Sequence, residues 1–460
     1  MDIFFEDTIA AISTAQSPAG IGIVRMSGPD AFKIADRVYH GNNNKKLAEQ
    51  KANTVHYGWI RENDRDLDEV LVVLLCAPHS YTGENTVEID CHGGILSTRR
   101  VLSALLKNGA RIAEPGEFTK RAFLNGRMDL SQAEAVMDVI SAKSEYALDS
   151  SLSQLKGSLK TRIENIRGKV LNELAFIEAA LDDPEHYSLD GYSETIIKIL
   201  TEQKAAIASL IETAERGKYI EEGIRTVIVG KPNVGKSSLL NLLSGKERAI
   251  VTDIPGTTRD TIEETISFGQ AALRIIDTAG IHASGDKVEQ IGVKIAKDEA
   301  SGADLVLFVA DSSRELDDDD KNILELIKHK KAIVLLNKSD LPQKITADEI
   351  SCLCDKKVIS ISASEGSGTE MLKDAVKDMF FEGEISFNDQ VFITNMRHLA
   401  ALKEAEESIG FAIEGAECGI PEDVYSSDLY AAINALDKMI GGNVSEDLVN
   451  EIFSKFCMGK

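Results

Sequence analysis

The chain of 460 residues is long enough for about three domains of roughly 100 to 200 residues each, and 43% hydrophobic with 27% charged residues suits soluble globular folds that bury real cores. A net charge of −24 disfavours non-specific adhesion to nucleic acid or acidic membranes, so any RNA contact must be local. The six cysteines (76, 91, 352, 354, 418 and 457) include no CxxC pair and make no disulfide framework, the N-terminus has no basic and apolar leader pattern, and no stretch approaches the roughly 18 apolar residues of a membrane span. The expectation is a cytoplasmic protein without a membrane partner.

Residues 1–120 alternate strand-like and helical runs. Ile21 to Arg25, Val70 to Leu75 and Thr86 to Asp90 read as strands, and Leu96 to Lys107 as a helix. Turn clusters at Gly28-Pro29, Gly41 to Asn44 and Pro115-Gly116 punctuate them, which predicts an α+β module. His92 reads as a turn or packing residue, and Arg111 to Asp129 is dense in charge and glycine.

From 121 to 221 the pattern is helical. Leu148, Leu152, Leu155, Leu159, Ile163, Ile166, Val170, Leu174, Ile177 and Leu181 step by threes and fours, predicting one long amphipathic helix stopped by Asp182-Asp183-Pro184. A second helix is expected from Ser193 to Arg216. Residues 381–460 carry three more amphipathic segments, at 396–413, 427–440 and 445–457, able to complete the same helical domain. Residues 222–380 would then be an insertion. Arg99-Arg100, Lys120-Arg121 and the segment from Lys156 to Lys169 are basic clusters that could touch RNA or simply form solvated faces.

The insertion carries the strongest signal. Thr226 to Val229 is a buried-strand run followed by Gly230-Lys231-Pro232-Asn233-Val234-Gly235-Lys236-Ser237-Ser238, which fits G-x-x-x-x-G-K-[ST]. Its glycines permit a tight loop whose N–H groups surround a phosphate; Lys236 would meet the outer phosphates, Ser237 would bind magnesium, and the helix from Ser238 would point its positive end at the anion. Asp277-Thr278-Ala279-Gly280 follows a strand-like run and is placed for a magnesium-side carboxylate and a γ-phosphate N–H. Asn337-Lys338-Ser339-Asp340 follows Ala332 to Leu336, and the Asp340 carboxylate can accept both N–H donors of guanine, which adenine does not present. Ser362-Ala363-Ser364 would support the base from its other side. Strands alternating with helices predict a mostly parallel sheet covered on both faces, a Ras-like P-loop fold that binds GTP.

Three further stretches make the reading specific. Asp253-Ile254-Pro255-Gly256-Thr257-Thr258-Arg259-Asp260, the run from Pro115 to Arg127, and Phe456-Cys457-Met458-Gly459-Lys460 together resemble the tRNA-modifying GTPase family MnmE, also called TrmE, over essentially the full length. The resemblance implies a homodimer that uses GTP hydrolysis, together with the flavoprotein MnmG, to install a carboxymethylaminomethyl-type group on the wobble uridine of certain tRNAs, with a formyl-tetrahydrofolate as one-carbon donor. It implies an N-terminal folate and dimerisation domain over 1–120, a helical domain split over 121–221 and 381–460, and the G domain between. It places the folate on Arg25, Glu88, Arg127 and Lys460. A glutamate can accept from the pterin's amino edge and cations can meet the glutamyl tail.

No glutamine follows Gly280, where Ras-like enzymes orient the attacking water; Ile281 and His282 stand there. The resemblance assigns that role to Glu289, and neutralisation of transition-state charge to a potassium ion held by Asn233, Thr252, Ile254 and Thr257. Thr252 to Thr258 would line the nucleotide, with Thr258 joining Ser237 on magnesium. Cys457 is open between a helix-packing thiol and a role in the tRNA chemistry. A GTPase acting only as a conformational switch, such as a ribosome-maturation factor, is the alternative of a different class.

Overall fold

The computed structural model describes residues 5–41, 46–246, 264–276, 302–381 and 390–460. These fall into two compact units, one reaching from the N-terminal residues to Met137 and including Leu436–Lys460, the other Asp138–Ala435.

In the first unit the elements run β1 (Ile9–Ile12), β2 (Ile21–Ser27), α1 (Ala31–Val38), β3 (Tyr39–Gly41), β4 (Thr54–Glu62), β5 (Arg65–Leu75), β6 (Thr86–His92), α2 (Ile95–Lys107), β7 (Arg111–Ile112), α3 (Glu117–Leu124) and α4 (Leu130–Ser141). The sheet order is β3-β4-β5-β6-β2-β1-β7, antiparallel except where β7 joins β1. Period-2 alternation explains its one-sidedness. Val24, Met26, Val70, Val72, Leu74, Val87 and Ile89 point to one face and are buried against α1 and α2. The register pairs Arg25 with Glu88 and Leu71 with Asp90, so these side chains lie on the opposite face. That face leaves Ile21 63%, Val55 59%, Tyr57 50% and Leu71 45% exposed.

The charge-dense stretch after Arg111 is not a surface loop. It folds as β7 and α3, and Arg121 is wholly buried, its guanidinium meeting Asp7 at 2.7 Å, Glu117 at 3.0 Å and Glu84 at 3.3 Å. Arg121 is therefore excluded as an RNA contact.

The second unit continues with α5 (Glu145–Leu155), α6 (Ser158–Asp182), α7 (Tyr192–Glu212), α8 (Ala214–Glu222), β8 (Ile224–Val229), α9 (Lys236–Lys246), β9 (Glu264–Phe268), β10 (Ala271–Ile275), β11 (Leu305–Asp311), α10 (Asp318–Ile327), β12 (Ala332–Asn337), α11 (Ala347–Ser351), β13 (Lys357–Ser360), α12 (Thr369–Phe381) and α13 (Met396–Glu417); the chain then enters α14 (Glu422–Ile440) and α15 (Glu446–Ser454). The single long helix expected from Leu148 to Leu181 is two. Gly157 adopts a left-handed φ of 90° between α5 and α6, a conformation that glycine takes at no steric cost and that ends a helix although the apolar spacing continues. The helix expected to reach Arg216 likewise divides at Thr213 into α7 and α8.

The second sheet has the order β13-β12-β11-β8-β10-β9, parallel throughout except for the β9–β10 hairpin. Strands β11 and β12 are buried at every position, as a sheet covered on both faces requires. Among the described residues no helix is long and apolar enough to cross a membrane.

Candidate nucleotide and folate sites

The loop after β8 is shaped by what its glycines lack. At Gly230, with φ 149°, a Cβ would lie 2.3 Å from the Val309 carbonyl; at Gly235, with φ 102°, it would meet the Asn337 amide at 2.1 Å. Both positions combine a backbone that side chains rarely adopt with no room for one. Asn233 also has a positive φ, 64°, and its side chain is exposed. Lys236 folds back over the loop, donating to the carbonyls of Gly230 and Lys231, each at 2.7 Å, and burial lowers its pKa by disfavouring the charged form. An anion in the loop would restore the preference for ammonium. Ser237 and Ser238 lie in the first turn of α9, whose N-terminal end meets the same loop.

Asn337 ties this loop to the two base-side segments. It is 2% exposed, donates from Nδ2 to the Val234 carbonyl at 2.8 Å, and accepts on Oδ1 from the Ala363 N–H at 3.0 Å. One amide thus joins three segments that the sequence shows only as separate strand ends. Lys338, at φ 64°, donates to Asp311 at 2.6 Å. Asp340 is exposed and accepts from Ser362 at 2.6 Å and Ser364 at 3.5 Å; the Ser362 hydroxyl, followed by a backbone N–H, holds its carboxyl below the usual range, so it is an anion ready to accept N–H donors. The sequence reading missed Asp311, whose only signal was its place at the end of a strand.

Thr252, Asp253, Ile254, Pro255, Gly256, Thr257, Thr258, Asp277, Thr278, Ala279, Gly280 and Glu289 lie outside the described residues. Of the expected potassium ligands only Asn233, and of the magnesium ligands only Ser237, are described. Their oxygen donors suit hard cations. Elsewhere, among the described residues, no three or more His, Cys, Asp and Glu gather in a way that could hold a metal ion.

The second site is on the open face of the first sheet. Arg25 Nε meets Glu88 Oε1 at 2.8 Å, and both side chains are mostly buried, 15% and 21% exposed. The guanidinium carbon lies 5.5 Å from the Tyr81 ring centroid and 5.7 Å from that of Phe118, and Nη1 donates to the Gly459 carbonyl at 3.3 Å. The C-terminus reaches this point because Gly459 adopts φ 87° where a Cβ would fall 2.4 Å from the Ile12 carbonyl; Ser13 Oγ donates to the Gly459 carbonyl at 3.1 Å. Burial, then the Arg25 charge, lowers the Lys460 pKa against the opposing pull of Glu88 and Cys457.

Three of the four expected folate residues, Arg25, Glu88 and Lys460, are therefore brought together. Arg127 is exposed and donates to the Ser80 carbonyl at 3.2 Å, one residue before Tyr81. Tyr81 and Phe118 were not foreseen, since an aromatic residue in a strand-rich module carries no special mark. Cys457 is an exposed free thiol beyond the end of α15.

Comparison with known proteins extends these observations. The chain matches the family model of the GTP-binding protein TrmE N-terminus over residues 8–127 and that of the MnmE helical domain over 130–457. It is 53% identical to the tRNA modification GTPase MnmE of Lachnoclostridium phytofermentans over 99% of both chains. It is 46% identical to the protein of the same name in Acetivibrio thermocellus over the whole of both. Among solved structures it is similar to the G domain of the T. maritima FeoB iron transporter, at 27% identity with a TM-score of 0.26, covering 34% of this chain and 98% of that one.

Proposed function

The chain belongs to the tRNA modification GTPase MnmE family and is a GTP hydrolase, and from that premise we propose that it turns over GTP in a potassium-dependent, dimer-assisted way and works with the flavoprotein MnmG. The product is a tRNA whose wobble uridine carries a carboxymethylaminomethyl-type group, with a formyl-tetrahydrofolate as one-carbon donor. The observation that carries this reading is the arrival of the C-terminal Gly459-Lys460 beside Arg25 and Glu88. A GTPase that only switches conformation has no use for such a site.

In the folate site the Glu88 carboxylate offers an acceptor for the amino edge of the pterin, and Arg25 and Lys460 supply positive charge within reach of a polyanionic tail. Tyr81 and Phe118 flank the Arg25 guanidinium, fixing its plane and excluding water. The exposed Cys457 thiol, close enough to Lys460 to act on its charge, is proposed as a chemical participant rather than a structural one.

In the nucleotide site, Lys236 turns from two carbonyls to the outer phosphates of GTP, and Asp340 accepts the guanine N–H donors while Ser362 and Ser364 hold it in place. Magnesium, on Ser237 and Thr258, would screen phosphate charge. Potassium, on Asn233, Thr252, Ile254 and Thr257, would stabilise charge that builds up between the β- and γ-phosphates. Glu289 is proposed to orient the attacking water. The homodimer is supported by the open sheet face of the first unit, where four large apolar side chains stand exposed around the Arg25–Glu88 pair.

The deciding experiment is GTP turnover with sodium replaced by potassium at fixed ionic strength and magnesium. A large potassium-specific rise that is lost in Asn233→Ala is expected. Equal rates in both salts would remove the cation mechanism and favour the switch-only GTPase.

A further inference from the structure

The protein is strongly acidic, yet one concave surface of the second unit gathers five lysines. The turn from α10 into β12 supplies Lys328, His329, Lys330 and Lys331, and the turn from α11 into β13 supplies Lys356 and Lys357, around a cleft of about 440 Å³. Among the described residues Asp355 is the only acidic side chain lining it. The cleft is at the N-terminal ends of β12 and β13, the opposite edge of the sheet from the P-loop and Asn337.

Several of these lysines also meet local structural needs. Lys328 caps the C-terminal end of α10, where a cation offsets the helix dipole, and pairs with Glu325. Lys357 opens the edge strand β13, where lysine discourages pairing with another chain. Two other ammonium groups are fixed by the fold: Lys356 donates to the Lys330 carbonyl at 2.7 Å, and Lys331 lies 4.7 Å from the Phe380 ring centroid and 5.5 Å from that of Tyr219. These contacts hold the side chains in place, and the result is that five lysines from two chain segments border one hollow. Concentrating like charge in a concavity is unfavourable without an anion, and it focuses a positive field outward.

Resting on the reading of this protein as a tRNA-modifying enzyme, we propose that this lysine cleft is a docking surface for the phosphate backbone of the tRNA. An RNA backbone fits better than a small anion because the cations are spread along an open hollow and do not converge on one point. Among the described residues the lining holds no Phe, Tyr or Trp to stack an unpaired base; beside the lysines it contains His329, Ala332, Asp355 and Met379. Binding there would be insensitive to sequence and would position the RNA without reading it.

The test uses the full-length protein and an unmodified tRNA transcript, with affinity measured by fluorescence anisotropy across a potassium chloride series. The variant is Lys328→Gln with Lys330→Gln and Lys357→Gln. A control changes Lys33, Lys51 and Lys107 in the first unit to glutamine, removing the same net charge elsewhere. The cleft variant is expected to bind at least fivefold more weakly and to lower the slope of log affinity against log salt by about two, since each lost phosphate contact removes roughly 0.7 to 0.9 from that slope. The control keeps the wild-type slope, and both variants keep GTP affinity and tRNA-free turnover. A cleft variant with the wild-type affinity and slope overturns the proposal, as does a control that loses as much. Wild-type protein that binds no tRNA would instead overturn the tRNA reading, and the proposal with it.

Discussion

Asn337 shows how a single buried side chain can organise a nucleotide site. Its amide satisfies the Val234 carbonyl in the phosphate loop and the Ala363 N–H in the base-side loop, and its bulk sits where Gly235 has none. Asn337→Ala would leave the buried Val234 carbonyl and the part-buried Ala363 N–H unpaired, at a cost of about 1–3 kcal/mol for the group that water cannot reach. The variant is expected to unfold at a lower temperature and to bind GTP at least tenfold more weakly; calorimetry with and without nucleotide checks both. Arg121 plays the corresponding part in the first unit. Burial opposes ionisation of Glu117, but hydrogen bonds from Arg111, the Glu114 backbone and Arg121 outweigh it and hold its carboxyl below the usual range. Such a network organises α3 and is unavailable to RNA.

At the scale of elements, what matters is where chain ends and turns are delivered. Helix α15 is started by Ser445, whose hydroxyl accepts from the Leu448 N–H, and its Phe453 packs with Leu130, Ala133 and, just beyond the helix, Phe456. Its position lets Met458, Gly459 and Lys460 cross to β1 and β2. Deleting Gly459 and Lys460 removes the carbonyl that receives both Arg25 and Ser13 but leaves this core intact. The truncated protein is expected to lose at least tenfold in affinity for formyl-tetrahydrofolate by titration calorimetry, with its unfolding temperature and GTP turnover nearly unchanged. Retained folate affinity would remove the C-terminus from that site.

At the scale of the whole molecule, the open face of the first sheet predicts association. Val55 and Leu71 stand on neighbouring strands with more than two-fifths of each exposed, and Asp90 on the same face has a buried carboxylate oxygen without a hydrogen-bond partner. Burial, reinforced by Glu88, raises the Asp90 pKa, so added negative charge there is poorly tolerated. Val55→Asp with Leu71→Asp is expected to shift the protein from dimer to monomer in sedimentation velocity, and to reduce potassium-stimulated turnover while sparing GTP affinity. An unchanged sedimentation coefficient would place the dimer contact elsewhere.

The sequence by itself determined the phosphate loop, the Asn337 to Asp340 motif and those strands that read as buried runs, because these are written in local spacing, while the family came from the resemblance of three longer stretches; β1, β4 and β9 carried no such mark and only the fold revealed them. The sequence could not show that the helix spacing from Leu148 to Leu181 is cut at Gly157, since apolar steps continue across a left-handed residue. Nor could it distinguish Arg121, buried among three carboxylates, from a surface cation, or show that Lys328 to Lys331 and Lys356-Lys357 share one hollow. Those are outcomes of long-range packing. The tertiary structure alone decided which charges meet each other and which face solvent, because electrostatic environment depends on distance through space and not along the chain.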